Sequence, residues 1–153
     1  MTTYYIILFF SLIILFFNDL NYKLKNILFQ NELKILIIIS LFLFVGFRYK
    51  VGSDWNTYND LFYLKPDSVK FELGYKYLIN ISKIYGLDIW GINIFSSFVF
   101  FLGFYFLFYK EKLFWLALSL SLPYLIIVVS MGYTRQSISI GLGMILISQI
   151  RRG

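Results

Sequence analysis

Four charged side chains set the chemistry open to this sequence: Arg48, Asp54, Glu72 and Arg135. The chain has no His and no Cys, which excludes imidazole bases, thiolate nucleophiles, disulfides, and Cys- or His-based metal sites. What remains is an arginine–carboxylate pairing. Guanidinium forks bind phosphate oxygens in a bidentate way, and a carboxylate beside them can act as a general base toward a hydroxyl group. Each residue also has a plainer role open to it. Arg48 can anchor a helix end at a membrane interface, and Asp54, after Gly52-Ser53, can cap a helix. Glu72 can pair with Lys76 four residues on, and Arg135 can snorkel out of an apolar segment. Trp55, Tyr58 and Tyr75 can be ordinary interfacial aromatics.

These residues must be positioned by membrane helices. Of 153 residues, 59% are hydrophobic, 22% aromatic and only 14% charged, against about 25% charged in a soluble domain. A soluble chain of this length cannot bury that much apolar surface. Five apolar stretches stand out, at about 4–17, 33–47, 89–109, 113–129 and 131–150; the third and fourth are long enough to span a bilayer, whereas the first two are short and need flanking Thr, Tyr or Lys to reach the interfaces. The first lacks a basic leader and a small-residue cleavage site, so it reads as a retained span. The net charge of +6 and pI near 9.4 come from dispersed positives that form no basic patch, so no nucleic-acid partner is expected.

The expected fold is therefore all-α and integral to the membrane, a single domain of about five spans. The polar segment 48–88 lies between spans 2 and 3 and carries two amphipathic helices. In the first, Trp55, Tyr58, Leu61 and Phe62 recur at helical spacing; in the second, Phe71, Tyr75, Leu78, Ser82 and Tyr85 share a face beside Ile79. Lys23, Lys25, Lys34, Lys110, Lys112, Arg151 and Arg152 are packed into short segments, which places those ends in the cytoplasm and segment 48–88 outside. Arg48 and Arg135 then share the outer mouth. Arg135 lies about one turn inside an apolar span, where an ionisable group marks a functional site by default. Ser137 with Gly141, and Ser139 with Gly143, form small-residue pairs suited to close helix packing.

Three blocks bear a family resemblance. Gly46-Phe47-Arg48-Tyr49-Lys50-Val51-Gly52-Ser53-Asp54-Trp55-Asn56-Thr57-Tyr58 resembles the GxRYxVGxDWxxY stretch of EpsG-like proteins, within the broad Wzy-type group of polysaccharide polymerases. Glu72-Leu73-Gly74-Tyr75 resembles the family's next block, and Arg135-Gln136-Ser137-Ile138 its RQ block after the fourth span. The resemblance implies a multi-span enzyme of the bacterial cytoplasmic membrane that joins undecaprenyl-diphosphate-linked repeat units into capsule, O-antigen or exopolysaccharide. It implies no metal and no cofactor. A flippase and a chain-length regulator are its expected protein partners, beside the lipid-linked glycan and the bilayer.

Mapped onto this chain, Arg48 and Arg135 would hold the diphosphate, beside Gln136, and Asp54 or Glu72 would be the base or orient the acceptor. Gly52 and Gly74 would shape backbone turns, and Trp55, Tyr58 and Tyr75 would stack on sugar or lipid. Family members carry more spans, so this chain is expected to be the front part of a longer protein. Two other readings stay open: a flippase or transporter for a lipid-linked or anionic substrate, and a non-catalytic assembly subunit. The polymerase reading needs a carboxylate near the arginines, whereas a flippase would carry charges along several spans, and the first, third and fourth here have none.

Overall fold

The computed structural model describes residues 27–52, 55–63 and 73–152. The expected first span at 4–17, and Asp54 and Glu72 with it, lie outside the described residues. Among those described, helix accounts for every regular element. They run α1 (Ile27–Gly46), α2 (Trp55–Tyr63), α3 (Leu73–Ile84), α4 (Asp88–Phe108), α5 (Phe114–Ser121), a π-helical segment (Leu122–Ser130) and α6 (Thr134–Ile150). Long apolar runs leave few alternatives, because backbone groups in hydrocarbon must bond within their own segment.

α4 has 21 residues, long and apolar enough by length and composition to cross a membrane, and is the one such helix among the described residues. At 1.5 Å per residue it reaches about 31 Å. α1 has 20 residues and begins six residues earlier than expected, taking Glu32 into the helix. α5 and the π segment form one apolar rod, Phe114–Ser130. Its change of pitch begins next to Pro123, which has no N–H for the ladder and crowds the preceding turn. α6 starts at Thr134 rather than Met131, because Tyr133 leaves helical geometry (φ −129°, ψ 89°) and separates it from the preceding segment.

Alternating direction brings four helix ends together. The C-terminal ends of α1 and the π segment meet the N-terminal ends of α4 and α6, with α2 and α3 at the same end. The opposite end is marked by Lys34, whose Nζ donates to Tyr109 O (3.3 Å), and by a Glu111–Arg151 ion pair (3.6 Å). The bundle core is built on Phe100, Phe104, Phe114, Leu118, Ile126 and Met144. A second cluster of Trp55, Tyr58, Phe62, Tyr75, Ile79, Ile89 and Ile92 seats α2 and α3 on α4. The buried face of α3 is thus Tyr75, Ile79 and Ser82; Tyr85, expected on it, is 74% exposed. Ser82 Oγ donates to Asp88 O (2.7 Å) and fixes the α3–α4 corner.

α4 packs most extensively on α6. A Cβ built on Gly141 would lie 2.6 Å from Val99 O and 2.8 Å from Phe100 Cα, and one on Gly103 would collide with the Gly141 carbonyl. Ser137 is buried and its Oγ donates to Ser96 O (3.3 Å). The Ser137–Gly141 pair therefore does the expected packing. The Ser139–Gly143 pair does not: Ser139 is exposed, and a Cβ on Gly143 would meet nothing. Leu36, Phe44, Leu120 and Leu146 stand 59–70% exposed on the outside of the bundle, a surface that suits acyl chains better than water.

Candidate functional site

The site grows from the turn after α1. Once the helix ends at Gly46, the chain folds inward and buries Arg48, which is 5% exposed. Its Nη1 donates to Ser130 O (2.6 Å) and its Nη2 to Asn93 Oδ1 (3.2 Å). The guanidinium fork thereby ties three segments together: the end of α1, the first turns of α4 and the end of the π segment. Burial pulls the Arg48 pKa down to about 10, and the nearby Tyr75 and Tyr58 hydroxyls partly offset that pull. Arg48 stays charged at neutral pH.

Gly52 completes this turn. Its φ of +109° is a conformation that L side chains rarely adopt, and a Cβ there would lie 2.8 Å from Met131 O and 2.9 Å from Gly132 Cα. The loop after α1 is thus laid directly on the break before α6, which accounts for a glycine at this position. Gly52→Ala is expected to cost about 1–3 kcal/mol through backbone strain and the forced separation. Thermal unfolding in detergent checks this, with Gly74→Ala as the control. Gly74 was expected to shape a turn; instead it sits in the first turn of α3, and a Cβ there would meet nothing within 4 Å. A turn glycine is not needed because α3 already contains the residue in ordinary helical geometry.

Two tyrosines at the same end of the bundle join α2, α3 and α6. Tyr58 and Tyr75 pack with ring centroids 5.7 Å apart. The Tyr75 hydroxyl shares a 3.2 Å hydrogen bond with Thr134 Oγ1, and burial pushes its pKa up to about 12, so it is a neutral hydrogen-bonding group at physiological pH. The Arg135 guanidinium lies 5.8 Å from the Tyr58 centroid and 5.9 Å from that of Tyr75, and its Nε donates to the Tyr58 hydroxyl (3.4 Å). Trp55 is buried on the flank, edge-on to Tyr49, which stacks on Trp90 (5.8 Å, 10°). The structure thus joins residues of all three sequence blocks: Arg48, Gly52 and Tyr58 from the first, Tyr75 from the second, Arg135 from the third.

The two arginines hold different positions. Arg48 is in the core with both Nη atoms engaged by protein. Arg135 is exposed and lines an open groove of about 550 Å³, beside Tyr75, Leu78, Phe95, Ile138 and Leu142. The groove is amphipathic and is walled by α3, α4 and α6, with a cation and phenolic groups beside apolar side chains. Gln136 is exposed next to Arg135 but lies outside the groove wall. No three metal-ligating side chains converge among the described residues.

Sequence reasoning missed Asn93, Ser130 and Thr134, which are 1%, 0% and 2% exposed. The signal was present for Asn93: it is the one amide in an otherwise charge-free apolar run, and an amide in a span needs a partner.

A family model described as the EpsG family matches residues 31–153, which takes in all three blocks and every helix from α2 to α6. No curated protein and no solved structure gives a significant match. The chain belongs to the EpsG family, a membership that points to a membrane protein related to polysaccharide biosynthesis.

Proposed function

We propose that this protein binds an undecaprenyl-diphosphate-linked glycan and takes part in polymerising such repeat units at the outer face of the bacterial cytoplasmic membrane. The single observation that carries the reading is the groove itself: Arg135, backed by Tyr58 and Tyr75, opens onto an apolar lane of Leu78, Phe95, Ile138 and Leu142. An amphiphile with an anionic head and a polyprenyl tail matches that order of groups. In the accompanying topology, the chain has five spans, with 4–17 as the first. α1, α4, the Phe114–Ser130 rod and α6 are the others, and the Arg48–Arg135 end faces outward. Lys110, Lys112, Arg151 and Arg152 then face the cytoplasm, where positives concentrate.

In the reaction, a hydroxyl of the acceptor repeat unit attacks the anomeric carbon of the chain held on its lipid diphosphate. A glycosidic C–O bond forms, the C–O bond to the diphosphate breaks, and the hydroxyl proton passes to Asp54 or Glu72. Arg135 takes up the negative charge that develops on the departing diphosphate. Arg48 holds the helix ends of the site together without leaving its protein partners. Gln136 and Trp55 stand at the edges of this arrangement.

The test is complementation of a polymerase-deficient strain with the full-length gene, read as the polymer ladder. Asp54→Asn or Glu72→Gln, whichever is the base, is expected to collapse the ladder to single repeat units at normal protein levels, a loss of about 10²–10⁴-fold. Long chains of undiminished length in both variants and in their double would overturn the assignment.

A further inference from the structure

We infer that the end of the bundle opposite Arg135 binds an anionic phospholipid of the surrounding bilayer, with its phosphate at Arg151 and an acyl chain along α5. The inference does not depend on the reaction proposed above.

An open groove of about 410 Å³ lies where the end of α4, the following loop, α5 and the end of α6 meet. Leu113, Leu116 and Leu120 line it. They follow at spacings of three and four, so they share one face of the helix. They are 63%, 36% and 70% exposed, while Phe114, Trp115 and Leu118 are buried on the bundle side. This apolar lane runs about 10 Å from the helix end toward the middle of the bundle.

A cation stands at the head of the lane. Arg151 and Glu111 both line the groove, and their ion pair is loose, at 3.6 Å with both side chains more than half exposed. A pair so open to solvent contributes little and yields to a better acceptor. Other cations of this end are held by protein. Lys34 donates to Tyr109 O, and Arg152 donates to Phe106 O (3.0 Å) while lying over the Phe106 ring. Both cover carbonyls at the C-terminal end of α4, where the helix dipole is negative. Arg151 is the one that faces the apolar lane. The exposed charges of residues 110–112 and 151–152 are four cations and one carboxylate.

Charge at the helix end and an apolar lane leading inward follow the order of a phospholipid in a bilayer, with its phosphate at the interface and its acyl chain toward the centre. A guanidinium fork fits the phosphate oxygens. The excess of cations selects an anionic headgroup over a zwitterionic one, by about fivefold per basic residue.

The test places the purified protein in vesicles of equal phosphatidylglycerol and phosphatidylcholine, with a trace of either lipid carrying a photoactivatable diazirine in its acyl chain. Adducts on residues 113–121 are normalised to those around Leu36 and Phe44 of α1, exposed residues that report the bilayer at large. Phosphatidylglycerol is expected to label the groove about fivefold more than phosphatidylcholine. Arg151→Gln and Glu111→Gln separate a lipid site from a structural ion pair. Both break the same pair, so a role through the pair alone moves both variants in one direction. A lipid site moves them oppositely: Arg151→Gln removes most of the preference and Glu111→Gln raises it, while their melting temperatures change alike. Equal labelling by the two lipids in the wild type overturns the inference, as does a shift of the same sign in both variants. Labelling of α1 without adducts on 113–121 also overturns it, and shows the groove filled by protein, whether a second copy or another segment.

Discussion

Arg48→Ala is expected to lower the stability of the folded protein by about 3 kcal/mol and to reduce the amount assembled in the membrane, whatever the substrate. Two opposing effects decide this. Removing the guanidinium relieves the penalty of holding a cation in the core, which favours the variant. Against it stand two lost hydrogen bonds to a charged donor, about 1.5–3 kcal/mol each, and a void where a long side chain had been. The two bonds run to separate segments, at 2.6 Å to Ser130 O and 3.2 Å to Asn93 Oδ1, so their loss releases the end of α1 from both α4 and the π segment. The destabilising side wins. Arg48→Lys is expected to recover less than half of the loss, because an ammonium is a point donor and cannot span two acceptors with fixed fork geometry. Arg48→Met fills the void without the bonds and separates packing from hydrogen bonding. Thermal unfolding in detergent checks the order Arg48 > Lys ≈ Met > Ala. A variant with alanine that melts with the wild type would show that the fork holds nothing.

This result bears on what could be read from the residues alone. The long apolar runs gave the helices because hydrocarbon allows few other backbone states, and α4 matches its run to within a residue at each end. The aromatic spacing in 55–62 gave the buried face of α2, since Trp55, Tyr58 and Phe62 are all buried. Other features depended on tertiary contact. Periodicity could not show that Tyr85 leaves the buried face of α3, because that depends on the chain turning at Gly86, with φ +63°, to enter α4. The π segment could not be read because Pro123 announces a disturbed helix without specifying its pitch. Arg48 and Arg135 were legible as a pair, but their division of labour was not. Both look alike in sequence, and only the burial of Arg48 against Ser130 O and Asn93 Oδ1 separates a buried strut from an exposed contact.

That division makes Arg135 the second large test. Arg135→Ala is expected to lower polymer formation about 10²–10³-fold while the protein stays folded and inserted. The stability side is smaller than for Arg48, because the guanidinium is exposed and solvent screens the contacts it makes; its cation–π contacts to Tyr58 and Tyr75 are worth about 0.5–1 kcal/mol each at such a site. The functional side is larger, because a donor aimed at charge that develops on a leaving diphosphate contributes about 2.7–4 kcal/mol to the barrier when it is present. The lysine variant distinguishes this role from simple anchoring at the interface. An arginine that merely snorkels is replaced by lysine without loss, since either chain can carry its charge to the headgroups. A residue that grips two phosphate oxygens is not, because lysine keeps the charge and loses the fork. Arg135→Lys is therefore expected to leave about one tenth of the wild-type polymer. The readout is the length distribution of the polymer in a complemented strain, normalised to membrane-inserted protein. Full activity in Arg135→Lys would return the residue to the interface, and the groove would then need another cation to hold its ligand.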